Sequence, residues 1–315
     1  MKKIKYISLS GGGMKGVMYI GAYRSLLHHF NFKEQMENIE GIIGTSIGAI
    51  FGLAMLLRLN DEQVMNIFLP IASAFENIAP QMDISLLLHK FGSDDGQTFR
   101  YQLGQILMQC GLSSDITFSQ FKKICACEFI CISTKLRTQE TIYVSAKTFP
   151  DLRIIDGIFM SMCVPLLFRP FEYDGELYVD GYLTQNQPIY YDPQLTLSFA
   201  FVMKHLDQID NWQTFLQCVI TACISCQRKC TEEYLNECEE NVIYLDYPKD
   251  MVRQGTIDRY ANELNNKRFV NCGYLSVLKL RYPKINYTME EILKMVIKVH
   301  ENYYCDLSNE CDEHL

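Results

Sequence analysis

The sequence is poor in the features that would mark a secreted, disulfide-stapled or nucleic-acid-binding protein. It has 13 cysteines among 315 residues, an odd number. Their share of the sequence is below the roughly 8–10% typical of a disulfide scaffold, which predicts reduced thiols. No apolar segment follows the first lysines, because residues 6–10 run into a glycine cluster, and this predicts no secretory leader. Basic residues are outnumbered 29 to 37, and a net charge of −8 disfavours nucleic acid as a partner. These absences favour a cytoplasmic globular protein.

Long apolar runs are also scarce. Residues 41–57 carry no charge, and Gly44, Gly48 and Gly52 have the GxxxG spacing of packed membrane helices. The segment reaches only the lower limit of the roughly 17–25 residues that a membrane span needs. Because Thr45 and Ser46 also interrupt it, a buried strand, turn and helix is the favoured prediction.

The order of the predicted elements favours an α/β fold. Residues 4–10 are rich in β-formers and precede a glycine cluster and a helical pattern over 14–30. A second short strand at 41–45 leads into a helical pattern over 47–59. Two strand–loop–helix units in succession predict a three-layer sandwich with a central, mostly parallel sheet flanked by helices.

The rest of the chain continues this alternation. Residues 61–112 are predicted to be mostly helical around a polar loop at 92–96. Further predicted elements are strands over 128–134, 141–145, 195–203 and 242–247, helices over 151–163 and 211–230 and two more near the end, and a hairpin over 171–180 that turns at Asp174-Gly175.

The glycine cluster Ser10-Gly11-Gly12-Gly13-Met14-Lys15-Gly16 is the first segment suited to chemistry. Glycines let successive amides face outward, and the N-terminus of the following helix adds positive charge, so the loop can hold an anion. Gly11, Gly13 and Gly16 also fit the GxGxxG dinucleotide fingerprint. That fingerprint expects an acidic residue after the second strand, where this sequence has none. A non-catalytic module that binds a nucleotide or lipid with this loop is the alternative function.

Two further motifs could carry catalysis. Residues 44–48 spell G-x-S-x-G between a predicted strand and a predicted helix, which is the setting of a nucleophile elbow, although a serine or threonine helix cap would give a similar pattern. Asp180 leaves a predicted strand and is followed by Gly181. On its own, such an aspartate is either a turn residue or a positioned base.

Taken together, three blocks of the sequence resemble the patatin-like phospholipases. They are SGGGMKG at 10–16, GTSIG at 44–48 and SMCVPLLFRPFEYDGELYVDGYLTQNQP at 161–188. The matching positions of the third block are Ser161, Pro165, Phe168, Pro170, Gly175, Tyr178, Asp180, Gly181, Asn186 and Pro188. Because order and spacing also agree, the resemblance covers residues 4–205, which we expect to form a catalytic domain, with 206–315 as a mostly helical extension packed on it or continuous with it.

The resemblance implies roles for individual residues. Ser46 would be the nucleophile and Asp180 its base, in a dyad without histidine. The loop of Gly11, Gly12 and Gly13, with Lys15 and Gly16 behind it, would form the oxyanion hole. The small residues of the elbow and of the base motif would be Gly44, Gly48 and Gly181.

The resemblance also implies the reaction. The expected activity is a lipid acyl hydrolase of phospholipase A type, which cleaves ester-linked fatty acids from glycerophospholipids through an acyl-enzyme on Ser46. Neither a metal nor a cofactor is expected. Membrane phospholipid is the expected substrate, met through peripheral contact with a membrane to which residues 84–88 could contribute, and the oligomeric state is not predicted.

The sequence departs from the family pattern at Tyr182, where the family has a small residue after the Asp-Gly pair, and residues 206–315 match no family block. A Ser-His-Asp triad would instead need one of the six histidines, and the chain order permits His205 or His300. Cys218, Cys223, Cys226 and Cys238 approach an iron–sulfur spacing, but the helical spacing of Cys223, Cys226 and Cys230 favours a buried stripe.

Overall fold

The computed structural model describes residues 4–30, 32–60, 89–202, 225–247 and 263–281, with single positions at 63, 64, 66, 209, 215, 218, 219, 221 and 222. Its strands are β1 Tyr6–Leu9, β2 Gly41–Thr45, β3 Gly92–Asp94, β4 Glu128–Lys135, β5 Glu140–Val144, β6 Leu166–Phe168, β7 Phe171–Tyr173, β8 Glu176–Asp180, β9 Thr196–Phe201 and β10 Val242–Leu245. Its α-helices are α1 Met18–His29, α2 Phe32–Met36, α3 Ile47–Leu56, α4 Gln97–Gln109, α5 Phe118–Cys125, α6 Ile154–Met162, α7 Arg228–Glu237 and α8 Glu263–Arg281.

A central sheet of mostly parallel strands organises the fold. Its strand order is β10-β9-β1-β2-β4-β8-β7, and β5 also pairs with β4. The first five strands are parallel to one another, whereas β5, β8 and β7 join antiparallel. Helices α3 and α6 pack against the sheet, and α1 packs against α8. The predicted α/β class, with a mostly parallel sheet between helices, is confirmed.

Burial explains why the apolar segment at 41–57 belongs to this core. All five residues of β2 are buried, as are nine of the ten residues of α3 from Ile47 to Met55. Central parallel strands are covered on both faces and so are apolar throughout rather than alternating. Within the described residues, no helix combines the length and the apolar character that crossing a bilayer requires.

An aromatic cluster fixes the chain where β1 ends. The ring of Tyr19 on α1 lies 5.0 Å from that of Phe51, 5.7 Å from Phe199 and 5.3 Å from Phe201, measured between centroids. Its buried hydroxyl donates a 2.6 Å hydrogen bond to the carbonyl of Ser10. The first residue of the glycine cluster is thereby tied to the core.

Several local predictions are confirmed and others are wrong. The hairpin turns at Asp174 and Gly175, whose φ angles of 51° and 73° suit the tight turn. The predicted polar loop at 92–96 instead begins with strand β3, which pairs with β6, because tertiary pairing overrides local polarity there. The helix expected from residue 14 begins as a 3-10 turn, and α1 starts only at Met18.

The C-terminal part contributes directly to this architecture. Strand β10 pairs with β9 at the edge of the central sheet, and α8 packs against α1. Most of the helix predicted over 211–230 and the apolar segment at 84–88 lie outside the described residues. Where that helix is described, a 3-10 turn at Ser225–Gln227 separates it from α7.

Candidate active site

Strand β4 aligns the ends of β2 and β8. Its residue Ile132 pairs with Thr45, the last residue of β2. The next residue, Ser133, pairs with Asp180, the last residue of β8. Because β5 occupies the other edge of β4, β2 and β8 follow one another along the same edge. Ser46 and Asp180, 134 positions apart in the sequence, therefore meet at this junction.

Ser46 forms the sharp turn between β2 and α3. Its φ of 54° and ψ of −123° lie in a region that non-glycine residues rarely adopt and that costs about 1–3 kcal/mol. The turn requires small neighbours, because a Cβ on Gly44 would collide with the backbone of Ala49 and one on Gly48 with the carbonyl of Leu9. This is the geometry expected of a nucleophile elbow.

The hydroxyl of Ser46 donates a 2.8 Å hydrogen bond directly to Oδ2 of Asp180. Both residues are buried, with 7% and 3% of their surface exposed. The other carboxylate oxygen, Oδ1, accepts a 2.8 Å bond from the backbone N–H of Tyr182. Burial raises the pKa of Asp180 to about 7, while the bonds from Tyr182 and Ser46 act to lower it. A carboxylate with this pKa can take up a proton near neutral pH.

Ser161 on α6 holds the elbow from behind. Its buried hydroxyl accepts a 2.9 Å hydrogen bond from the backbone N–H of Ser46 and donates to the carbonyl of Ile132. Sequence analysis recorded Ser161 as a matching position but assigned it no role. Its partners lie 115 and 29 positions away, so no local pattern could have revealed the contact.

The glycine cluster lies against the elbow on both sides. A Cβ on Gly11 would lie 3.5 Å from Cγ2 of Thr45, and one on Gly16 would collide with Ile47. The N–H of Gly11 donates a 3.1 Å bond to the carbonyl of Asn186. The amides of Gly12 and Gly13, by contrast, have no hydrogen-bond acceptor among the described residues. Gly13 is exposed and has a φ of +55°.

The chain is also similar to known proteins. The sequence model of the patatin-like phospholipase family matches residues 7–192, more than half of the chain. The chain belongs to this family. Among solved structures, the chain is similar in fold to VipD from Legionella pneumophila. The TM-score is 0.51 and the identity 15%, over 88% of this chain and 66% of VipD.

Two viral proteins are similar to this chain in sequence. An uncharacterized protein of Acanthamoeba polyphaga mimivirus is 25% identical over 210 residues, covering 66% of this chain and 68% of that protein. A probable lipid hydrolase of Invertebrate iridescent virus 6 is 26% identical over 199 residues, covering 60% and 63%. The chain thus matches about two thirds of the length of these relatives.

Lys15, which follows the glycine loop, is held by aromatic rings. Its ammonium lies 5.3 Å from the ring centre of Tyr247 and 5.7 Å from that of Phe201, and it is 3.4 Å from the Tyr247 hydroxyl. Burial lowers the pKa of Lys15 to about 8. The side chain therefore links the glycine loop to β9 and to the residues after β10.

Tyr182, the departure from the family pattern, lies beside the glycine loop. A Cβ on Gly11 would lie 3.2 Å from Cδ2 of Tyr182, so the ring occupies space that a small residue would leave open. Burial raises the pKa of Tyr182 to about 12, and a side-chain hydrogen bond with Thr221 opposes the rise. The preceding Gly181 fits because a Cβ there would collide with the Ile132 carbonyl.

The described histidines are not in contact with Ser46. His28 and His29 end α1 and interact with the Tyr274 hydroxyl of α8 at 3.5 and 2.8 Å, and His89 is exposed. The other three histidines, His205, His300 and His314, lie outside the described residues. The triad alternative therefore stays a prediction for His205 and His300.

The structure describes the side chains of two of the four candidate iron–sulfur cysteines, Cys218 and Cys238. Cys238 is buried, with its Sγ 3.5 Å from Oγ of Ser198, whereas Cys218 is half-buried on a helix. Cys223 lies outside the described part of the chain. In that part, no group of three histidine, cysteine or acidic side chains is arranged to hold a metal ion.

Proposed function

We propose that the chain is a lipid acyl hydrolase of phospholipase A type, in which Ser46 and Asp180 form a catalytic dyad. The direct 2.8 Å hydrogen bond between the Ser46 hydroxyl and the Asp180 carboxylate supports this proposal more than any other observation. Membership of the patatin-like phospholipase family supports a lipid ester as the substrate. The rival function, a non-catalytic binding module, leaves the strained backbone of Ser46 and the buried carboxylate without a role.

In the proposed reaction, Asp180 takes the proton of Ser46 as its oxygen attacks the ester carbonyl of the lipid. The N–H groups of Gly12 and Gly13 stabilise the resulting oxyanion. Gly11 serves as an anchor rather than a donor, since its N–H is bonded to Asn186. Protonated Asp180 then gives its proton to the departing alcohol, which leaves the acyl group on Ser46. Water, deprotonated by Asp180, releases the fatty acid.

The direct test is covalent labelling combined with a mutant panel. A fluorophosphonate probe is expected to label the wild type at Ser46, and Ser46→Ala should remove the label. Asp180→Asn should abolish hydrolysis with little change in fold, because the amide matches the carboxylate in size but cannot accept a proton. Each of the six histidines replaced singly by Gln should retain most of the activity. One inactive, well-folded histidine variant would replace the dyad by a triad, whose members each contribute several orders of magnitude.

The pH profile provides an independent readout. Because burial raises the pKa of Asp180 to about 7, kcat/KM should fall about tenfold per pH unit below that value and level off above it. Since an imidazole titrates in nearly the same range, the profile tests the environment of Asp180 and the mutant panel tests its identity. A rate that stays constant down to pH 5 would contradict a buried aspartate as the base.

A further inference from the structure

A second surface of the molecule has the properties of a membrane contact. Residues 211–227 contain no charged side chain, and they include the chain's only tryptophan, Trp212. Tryptophan is enriched where proteins meet the interface between lipid and water. At the described positions 215, 219 and 222 this uncharged segment is exposed, where protein surfaces normally carry charge.

The described positions of this segment show which side faces outward. Positions 215, 218, 219, 221 and 222 are helical. Phe215, Val219 and Ala222, spaced at i, i+4 and i+7, are all exposed, with 47% of Phe215 and 43% of Val219 accessible. We call these three residues the outward apolar face. Thr221 is only half-exposed, so the helix presents apolar groups to solvent while a hydroxyl is turned toward the protein.

This helix is connected to the catalytic residues through the loop that follows Asp180. Thr221 is hydrogen-bonded to Tyr182, whose backbone N–H binds the Asp180 carboxylate. Gln227, at the end of the same segment, donates a 2.6 Å bond to the carbonyl of Leu183. Its side-chain oxygen also accepts a 3.2 Å bond from the N–H of Asn186.

Asn186 in turn anchors the glycine cluster, because its carbonyl accepts the Gly11 N–H. The outward apolar face thus lies on an element bonded both to the base and to the oxyanion loop. Exposed Arg228 and Lys229 follow directly, and their cationic side chains suit lipid phosphates.

We propose that the outward apolar face docks onto the surface of a phospholipid bilayer and brings the active site to its substrate. The proposal rests on the lipid-hydrolase function proposed above. A bilayer fits better than a folded partner, because a helix that inserts only its apolar side into the headgroup region needs no complementary surface. Ile209, with 58% of its surface exposed, extends the apolar character on the N-terminal side.

The single tryptophan allows the docking to be measured without catalysis. Full-length protein carrying Ser46→Ala is mixed with vesicles of phosphatidylcholine and phosphatidylserine, and Trp212 emission is recorded. We expect a blue shift and quenching by lipids brominated in their acyl chains. In the same background, Phe215→Ser combined with Val219→Ser should weaken vesicle binding about tenfold, because two half-exposed apolar side chains no longer transfer to lipid.

Ile124→Ser is the matched control. Ile124 is 61% exposed on α5, which precedes the amino end of β4, whereas the active site lies at the carboxyl end. This control variant should bind vesicles like the parent. In proteins that keep Ser46, the double variant should lose hydrolysis of vesicle lipid about tenfold more than hydrolysis of a short soluble ester.

Absence of any tryptophan shift with vesicles, or equal binding by the double variant and its parent, would overturn the docking proposal. So would an equal loss from Ile124→Ser. If the double variant fails to fold, which circular dichroism would reveal, the Phe215→Ser and Val219→Ser variants are compared singly. Hydrolysis of the soluble ester by the protein with Ser46 intact tests the proposed function separately, since it requires no membrane.

Discussion

Two strand–loop–helix units, β1 with α1 and β2 with α3, place their connecting loops at the carboxyl edge of the sheet. The units are built alike, but their loops differ. After β1 the chain uses residues 10–17, including a 3-10 turn, before α1 begins, whereas β2 passes to α3 through Ser46 alone. The longer connection presents backbone N–H groups, and the one-residue connection presents a side chain. Parallel sheets gather their loops at one edge, so a single architecture can supply both the donors and the nucleophile of the proposed reaction.

Glycine has a different task in each unit. At the elbow, Gly48 provides space, because a Cβ there would meet the carbonyl of Leu9 and lie 2.9 Å from that of Ser10. In the longer loop, Gly13 provides conformation, since its φ is +55° and a Cβ would meet no atom within 4 Å. A side chain at Gly48 is therefore excluded by packing, whereas a side chain at Gly13 is disfavoured by the backbone conformation.

The largest effect is expected from Gly48→Ala. The added methyl group would push against the backbone of β1, which cannot rotate away, so α3 or β1 must shift. We expect a destabilisation of about 3 kcal/mol or more, which lowers Tm by roughly 6–12 °C, together with loss of activity. Thermal unfolding measures the first effect and ester hydrolysis the second.

Gly52→Ala on the same helix is the control for packing. There the nearest atoms to the added Cβ belong to side chains, at 3.1 Å from Ile42 and 3.2 Å from Phe129, and these can move slightly. The gain in helix propensity of about 1 kcal/mol offsets the tighter contact. Equal Tm losses for the Gly48 and Gly52 variants would show that space at the elbow is not the limiting factor.

A smaller effect on stability, but a clear one on rate, is expected from Gly13→Ala. The left-handed backbone costs an alanine about 1–2 kcal/mol, so Tm should fall only a few degrees. Relaxation of the loop would change the direction of the Gly13 N–H, so the rate of hydrolysis should fall about tenfold or more. This loss should stay below the roughly 10²–10³-fold loss that follows removal of an oxyanion-hole donor.

Gly111→Ala provides the comparison for Gly13→Ala. Gly111 also has a positive φ, +76°, and open space around its Cα, but it follows α4 and lies outside the loops of the proposed active site. It should show a similar loss of Tm with unchanged rates. If Gly13→Ala behaves in the same way, the glycine loop is a turn and not an oxyanion hole.

Sequence patterns predicted the elements whose information is local. The strands at 41–45 and 242–247 and the hairpin turn at Asp174 follow from short-range composition. Helix α5 was missed although its signal is local: Thr117 and Gln120 form a capping box at its start. The pattern of threonine followed three residues later by glutamine could have identified it.

The unpredicted parts of the site depend on long-range contacts. The pairing of β3 with β6, the support of Ser46 by Ser161 and the engagement of the Gly11 amide by Asn186 each join residues far apart in sequence. Such contacts are set by packing, on which a residue's neighbours in the chain carry little information. The resemblance to the family supplied the pairing of Ser46 with Asp180, which periodicity alone could not.

The burial of Asp180 has a thermodynamic consequence beyond catalysis. Its pKa is about 7 when folded and near 3.8 when exposed, so between these values the folded chain holds a proton that the unfolded chain releases. By proton linkage, this group's contribution to stability is fully present below about pH 4 and is lost as the pH rises through about 7. The proposed dyad works only with the carboxylate ionised. In the proposed mechanism, hydrolysis therefore takes place in the pH range where this residue stabilises the fold least, and acid that stops hydrolysis also reinforces the fold at this position.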